Sequence, residues 1–400
     1  MTMERKKILF LTFYFKPDLC AGSFRNSPLL FELAQLAKKK SVDIDVFTTL
    51  PNRYSTFSEE APEIEEFENV KVRRVVIPKH KSGFIDQIFS FKTYFDTVNK
   101  EVKNENYDLV YASSSRLFTA YLGHTIAKKS KVPLYLDIRD IFVDTIKDVV
   151  KNKPLKALVI PILKRIEKQT FSNATHINLI SGGFKVYFER YKKPGYTYFT
   201  NGIDEVFIKE YFKTKNYNKK SDTKKIVYAG NFGEGQGLHK IVPQSAKILG
   251  KGFEFHLIGD GGAKQLLLDK IEEEGVDNVF IIPPMNREEL IKKYHDSDYL
   301  LIHLNDYDAF KKVLPSKIFE LAMFKKPLLV GVNGYARAFI EENLSDSILF
   351  EPGNAIELTN KLLSNENGAK ETMDREAFIN NFNRENINTD MAISILNLIH

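Results

Sequence analysis

Apolar runs a few residues long, separated by polar stretches with helical spacing, recur along the whole chain. In the first half they cover 7–13, 42–48, 70–77, 107–112, 133–138 and 175–180. In the second they cover 226–230, 253–258, 278–282, 299–304, 327–332 and 348–350. Most are apolar throughout instead of alternating, the pattern of parallel strands buried on both faces. Strand–helix alternation repeated twice predicts an α/β protein of two Rossmann-like, doubly wound domains. Ligands in such sheets sit outside the carboxyl ends of the strands, so residues there become the candidates for chemistry.

Between the halves, 205–225 is polar and lysine-rich and reads as a connector, preceded by the turn signal Asn201-Gly202, which suits a hinge. This places one domain at 1–204 and the second at 205–379. Over 147–168, Leu155, Leu158, Val159, Ile162, Leu163 and Ile166 form a helical stripe with Lys156, Lys164, Arg165 and Lys168 outside it. Packing of that stripe on the first domain is expected, with a kink at Pro161. The alternative is a membrane-surface element assisted by Lys147, Lys151 and Lys153. The apolar run 8–15 follows a basic segment, as a signal peptide would, but Lys16, Pro17 and Asp18 follow it in turn. A first buried strand is the better reading. No run approaches the ~20 apolar residues of a spanning helix, so a soluble or peripheral protein is expected.

At 400 residues, 43% of them hydrophobic, the chain has material for two cores. Its one cysteine, Cys20, rules out an internal disulfide and fits a reducing compartment. A net charge of +6 suits an anionic surface or nucleic acid, yet no zinc spacing or RNA-recognition signature is present, and nucleic acid is not expected as a partner.

The densest chemistry lies in LPSKIFELAMFKKPLLVG, 314–331. Pro315 suits a first helical position, leaving the amides of Ser316 and Lys317 to face an anion, with the Lys317 charge beside them. Glu320, about one turn on, could take two vicinal hydroxyls such as those of a ribose; an ordinary i,i+3 ion pair between Lys317 and Glu320 is the alternative. Gly230, Gly233, Gly235 and Gly237 crowd the loop after one strand, and Gly259-Asp260-Gly261-Gly262 closes the next. Their spacing is neither a dinucleotide fingerprint nor a P-loop, and each could be a plain turn. In the first half, Ala21-Gly22-Ser23 precedes a helix carrying Arg25, with Ser23 a candidate N-cap, and Arg139 and Asp140 stand where a strand ends.

These segments, together with FKPDLCAGSFRN (15–26), LDIRD (136–140), FTNGID (199–204), AGNFGEGQGL (229–238), IGDGG (258–262) and IIPPMNREEL (281–290), resemble the family 4 glycosyltransferases, in particular a branch that adds amino-deoxysugars such as fucosamine in bacterial surface-polysaccharide assembly. The resemblance implies the GT-B fold: two Rossmann-like domains facing across a cleft, the first binding the acceptor and the second the donor, with a C-terminal helix at about 380–400 crossing back to the first. It implies donor contacts at Gly22, Ser23, Arg25, Asn231, Gly233, Gln236, Gly259, Asp260, Gly261, Pro284, Met285, Ser316, Lys317 and Glu320, and catalytic roles for Arg139, Asp140 and Lys317. It also implies retention of anomeric configuration by front-face attack, in which the departing phosphate takes the acceptor proton and no enzyme nucleophile is used. The donor is then a nucleotide-sugar, UDP-linked, which is a substrate; no cofactor and no metal are expected. The acceptor is a saccharide or lipid-linked saccharide, which places the enzyme in the cytoplasm or at the inner membrane surface.

Three positions depart from the wider family. The loop Asn231 to Gln236 lacks its Arg and Lys, Lys312 stands where a Glu is usual, and Arg139 replaces a His. The narrower branch shares the Asn/Gln pattern. A leaving diphosphate needs positive stabilisation, for which Lys317, Arg139, Arg25 and Lys312 are the available cations, Lys317 first. Two other classes stay open: a sugar-nucleotide epimerase of the same architecture, and a noncatalytic nucleotide-sugar-binding subunit.

Overall fold

The computed structural model describes residues 5–18, 20–52, 60–78, 84–114, 117–149, 152–213, 223–366 and 374–399. The chain forms two compact units, Met1–Asn201 with Arg384–His400, and Gly202–Asn383.

The first unit is built on an eight-stranded sheet of β1 (Lys6–Leu11), β2 (Val42–Thr49), β3 (Ile64–Phe67), β4 (Val70–Val75), β5 (Leu109–Ser114), β6 (Leu134–Ile138), β7 (His176–Leu179) and β8 (Gly195–Thr197). Its order is β3-β4-β2-β1-β5-β6-β7-β8, parallel except for β3, which runs antiparallel along β4. Sequence reading missed β3 and β8, and both are edge strands. At an edge one side of the ladder faces no strand, so a short polar or mixed sequence suffices and no apolar run is needed. Ile8 to Leu11 are wholly buried in the middle of the sheet. The order reverses between β1 and β5, which makes the carboxyl end of β1 this unit's switch point.

The second unit carries β9 (Lys224–Asn231), β10 (Phe253–Asp260), β11 (Val279–Ile282), β12 (Tyr299–His303), β13 (Leu328–Gly331) and β14 (Ile348–Phe350), all parallel, in the order β11-β10-β9-β12-β13-β14. Its switch point lies between β9 and β12. The central strands β9, β12 and β13 are apolar on both faces for a visible reason. Val227, Leu300, Ile302, Leu328 and Val330 enter one core cluster, while Ile226, Tyr228, Tyr299, Leu301 and Leu329 enter another on the opposite face. This is the two-domain α/β architecture of the GT-B fold.

The structure sharpens three expectations. The connector at 205–225 begins as a helix, Glu205–Phe212, whose Phe207 and Ile208 are buried in the second unit's core; 214–222 lie outside the described residues. Apolar residues at i and i+1 inside a lysine-rich stretch were enough to anchor it. The final helical stretch divides at Asn383 into Glu376–Phe382, part of the second unit, and Arg384–Leu396, part of the first. In the latter, Met391, Ala392, Ile395 and Leu396 pack with Leu29, Leu30 and Leu33 of helix Ala21–Lys39. The stripe over 147–168 is only half covered: Leu163 is buried, but Leu155, Leu158 and Ile162 are exposed by 41%, 67% and 55%, and helix Lys153–Ser172 continues through Pro161.

Candidate functional site

In the second unit the loops after β9, β10 and β12 converge on the switch point and are bonded to each other. Asn231 Nδ2 donates to Gln236 Oε1 at 3.0 Å, directly over Gly233. A Cβ at Gly233 would lie 2.3 Å from Asn231 Nδ2 and 2.7 Å from Gln236 Oε1, so a side chain there would displace this amide–amide bond. The Asn305 amide donates to the Gly235 carbonyl at 2.8 Å and Asn305 Nδ2 to the Glu234 carbonyl at 3.0 Å, joining the β12 loop to the β9 loop. Phe232 N donates to Asp260 O at 2.8 Å, and Ala263 N to Phe232 O at 2.7 Å, which adds the β10 loop. Gly259, at φ +150°, could carry no side chain, because a Cβ there would sit 1.9 Å from the Gly230 carbonyl oxygen. Gly261 is similarly confined, and the Asp260 carboxylate accepts from its amide at 2.9 Å.

His303 ends β12 and was not singled out from sequence. It is buried, and Gly353 N donates to its Nε2 at 2.9 Å, so its proton sits on Nδ1, 2.6 Å from the Gln236 carbonyl. Burial is the main cause that pushes its pKa down to about 4, and it stays neutral at physiological pH. The imidazole thereby pins the β9 loop to the loop after β14. A histidine at the carboxyl end of a strand was the available signal.

The helix expected to start at Pro315 spans only Lys317–Leu321, too short to develop a sizeable macrodipole. The amides of Ser316 and Lys317 still have no hydrogen-bond partner among the described residues. Lys317 and Glu320 do form the ion pair set out above as the alternative, Nζ lying 2.9 and 3.0 Å from the two carboxylate oxygens. Tyr294, which sequence gave no reason to name, completes the group: its hydroxyl donates to Glu320 Oε1 at 2.8 Å and accepts from Lys317 Nζ at 3.2 Å. It lies inside helix Arg287–His295 at a core position, so only the tertiary structure reveals it. The same helix follows Pro284 and Met285, half-buried in the stretch between β11 and its N-cap Asn286, with Met285 against the core. Lys311 pairs with Asp306 and Asp308 just ahead of this region. Among the described residues no group of three or more His, Cys, Asp or Glu is placed to hold a metal ion.

In the first unit, Gly22 and Arg139 come together. A Cβ on Gly22 would meet an Arg139 guanidinium nitrogen at 3.0 Å, so the glycine makes room for that group. Arg139 Nε is buried without a partner, and burial lowers the pKa of the guanidinium, opposed by the Asp137 charge. An arginine desolvated without a bonded carboxylate is poised for an anion. Asp140, beside it in sequence, accepts from Thr145 Oγ1 at 3.0 Å, and burial raises its pKa to about 6.

Two first-unit expectations fail. Arg25 is buried and spent on structure: it bonds both Asp137 oxygens, at 2.7 and 2.9 Å, and the carbonyls of Phe199 and Thr200. The Arg25 charge holds the Asp137 pKa below the usual carboxylate range against the effect of burial. These bonds take four of the five guanidinium N–H groups, so Arg25 is held chiefly as a structural group of the first unit. Ser23 is not an N-cap, because the helix starts at Ala21 with Cys20 in the cap position, leaving Ser23 buried in its first turn.

Residues 210–383, most of the second unit, match the family model of glycosyl transferases group 1. A stretch of 136 residues is 29% identical to WcaI of Escherichia coli K12, a glycosyl transferase assigned to colanic acid biosynthesis, covering 34% of this chain and 32% of WcaI. The chain thus spans about a third of that relative's length. Among solved structures, WaaG, a glycosyltransferase involved in lipopolysaccharide biosynthesis, is similar with a TM-score of 0.69 at 13% identity, covering 97% of this chain and 99% of WaaG. Anabaena HepE, solved with UDP and glucose, gives a TM-score of 0.66 at 16% identity over 98% and 99% of the two chains. Sucrose-phosphate synthase of Thermosynechococcus elongatus gives 0.68 at 13% identity over 98% and 95%. At these identities the structural likeness establishes the fold. The part of the chain similar to group 1 glycosyl transferases thus falls within the second unit.

Proposed function

We propose that this protein is a glycosyltransferase that takes a sugar from a nucleotide-sugar, UDP-linked, and moves it to a saccharide or lipid-linked saccharide with retention of configuration. The observation that carries this reading is the group at 316–320 inside the matched domain: two unpartnered amides, an ammonium and a carboxylate within one helical turn. A nucleotide needs those groups, with donors for phosphate and an acceptor for ribose hydroxyls. Three of the similar structures, all of HepE, contain UDP or UDP-glucose, which supports the choice of base.

In this reading Glu320 takes the ribose, and Lys317 leaves it in part to meet the diphosphate. The loops 231–237 and 259–262 provide closely approachable backbone, with Pro284 and Met285 beside them. Lys317 neutralises charge that grows on the leaving diphosphate, and Arg139, desolvated within the first unit, is proposed as an anion-binding cation. Asp140 is proposed as the acidic group nearest the acceptor chemistry, and its raised pKa suits exchange of a proton near neutrality. The transferred sugar is proposed to be an N-acetylated amino- or deoxysugar, in assembly of capsule or O-antigen at the inner membrane, without a metal.

The test is incubation with a panel of UDP-sugars, with and without a saccharide acceptor, in EDTA. Transfer to acceptor with an unchanged anomeric descriptor supports the proposal. A new sugar nucleotide formed without acceptor would instead identify an epimerase, and tight UDP binding with no turnover on any acceptor a binding subunit.

A further inference from the structure

Helix Lys153–Ser172 presents three faces instead of two. At about 100° per residue, Leu163, Glu167 and Thr170 fall on one side, and all three are buried. Leu155, Leu158 and Ile162 fall together roughly a third of a turn away, and all are exposed. Lys153, Lys164, Arg165 and Lys168 occupy the remaining third, also exposed. An ordinary surface helix buries its apolar stripe and has only two faces. This one carries a second stripe of large aliphatic side chains in solvent.

The charge beside that stripe is of one sign. None of Lys153, Lys164, Arg165 and Lys168 makes an ion pair among the described residues, whereas exposed lysines on other helices do, as Lys92 with Asp96 and Lys209 with Glu205. The helix's one acidic residue, Glu167, is turned inward, where it accepts from the hydroxyls of Tyr187 and Tyr191 at 2.6 and 2.9 Å. Those bonds hold the segment 185–193 against the helix, bringing the exposed Lys185, Lys192 and Lys193 to the same region with a single exposed acid, Glu189. Of the lysines expected to assist, Lys147 is paired with Asp144 and Lys151 lies outside the described residues.

We infer that this helix docks on an anionic phospholipid surface, with Leu155, Leu158 and Ile162 in the headgroup–acyl boundary and the basic face against lipid phosphates. An aliphatic strip flanked by unpaired cations is what such a surface binds. A second copy of this chain would set the same cations against each other, and an apolar protein partner would leave them unmatched. No helix among the described residues is long and apolar enough to cross a membrane, so this mode is attachment in the interfacial plane. The inference rests on the helix alone and holds whichever sugar, if any, is transferred.

The test uses the full chain and vesicles of phosphatidylcholine with or without phosphatidylglycerol, read by co-sedimentation at low and high salt. Wild type should bind the phosphatidylglycerol vesicles at least tenfold better than phosphatidylcholine alone, and lose that preference at high salt. The triple variant Leu155→Ser, Leu158→Ser, Ile162→Ser and the triple variant Lys164→Glu, Arg165→Glu, Lys168→Glu should each lose binding at least tenfold. Both should keep the wild-type circular dichroism, since every altered side chain is in solvent. Wild type left in the supernatant with anionic vesicles, or variants that bind as wild type does, would overturn the inference. So would vesicle-independent dimers that the aliphatic variant dissolves, which would make the strip a self-association surface. UDP binding by calorimetry, which concerns the second unit, should be the same in all three proteins, so the outcome is independent of the proposed transfer reaction.

Discussion

Replacing Lys317 by Ala separates a structural ion pair from a catalytic cation. The pair with Glu320 is an i,i+3 contact on a short helix, and the two side chains are 32% and 18% exposed. Pairs of this kind contribute a few tenths of a kcal/mol, and screening by solvent keeps the value low. Glu320 is also not stranded by the change, because the Tyr294 hydroxyl still donates to it. The expected stability loss is therefore about 0.5 kcal/mol, which for a domain of this size lowers its melting temperature by roughly 1–2 °C. A cation that meets charge developing on a leaving diphosphate contributes more, about 1.5–3 kcal/mol for a charge-assisted contact, or roughly 10- to 150-fold in rate. Because that charge grows toward the transition state, turnover at saturating donor should fall more than donor affinity does. Steady-state kinetics, calorimetric donor titration and thermal melting of the same preparation supply the three numbers. Turnover within about twofold of wild type would refute the phosphate role of Lys317 and make Arg139 the leading cation.

Glu320→Gln should weaken nucleoside-diphosphate binding by about 1–3 kcal/mol in calorimetry with near-normal melting, and unchanged affinity would remove Glu320 from the site. Gly259→Ala, whose Cβ would collide with the Gly230 carbonyl, should cost several kcal/mol of stability, while Gly262→Ala, with open space around it, should cost under about 1; equal melting temperatures would contradict the loop packing. Asp140 has its pKa raised from an ordinary 3.8 to about 6, so it favours the folded state relative to its ionised form below pH 4 and loses that advantage as pH rises through 6. Asp140→Asn should then match wild type near pH 4 and exceed it above pH 6 by about 1–2 kcal/mol, a value discounted for the part of the residue that meets solvent; a pH-independent difference in denaturant midpoint would be the contrary result.

The sequence by itself indicated twelve of the fourteen strands, since a parallel strand buried on both faces must be apolar at successive positions, as Ile8–Leu11 and Leu328–Val330 are. It also determined where chemistry could lie, because strand ends follow from strands and the glycines at 259 and 261 sit where backbone meets backbone. It could not show which polar side chains find each other across the fold. Arg25 and Arg139 look alike as cations near strand ends or helix starts. Only the position of Asp137, 112 residues away from Arg25, turns one into a structural group and leaves the other without a bonded partner. Tyr294 joins Lys317 and Glu320 only once helix Arg287–His295 has packed beside the turn they share. Whether Leu155, Leu158 and Ile162 pack or face outward was likewise left open, because periodicity says that residues share a face but not how much of that face its neighbours cover. Local pattern reports what a segment can bury; the long-range contacts that spend or spare each charge exist only in the folded chain.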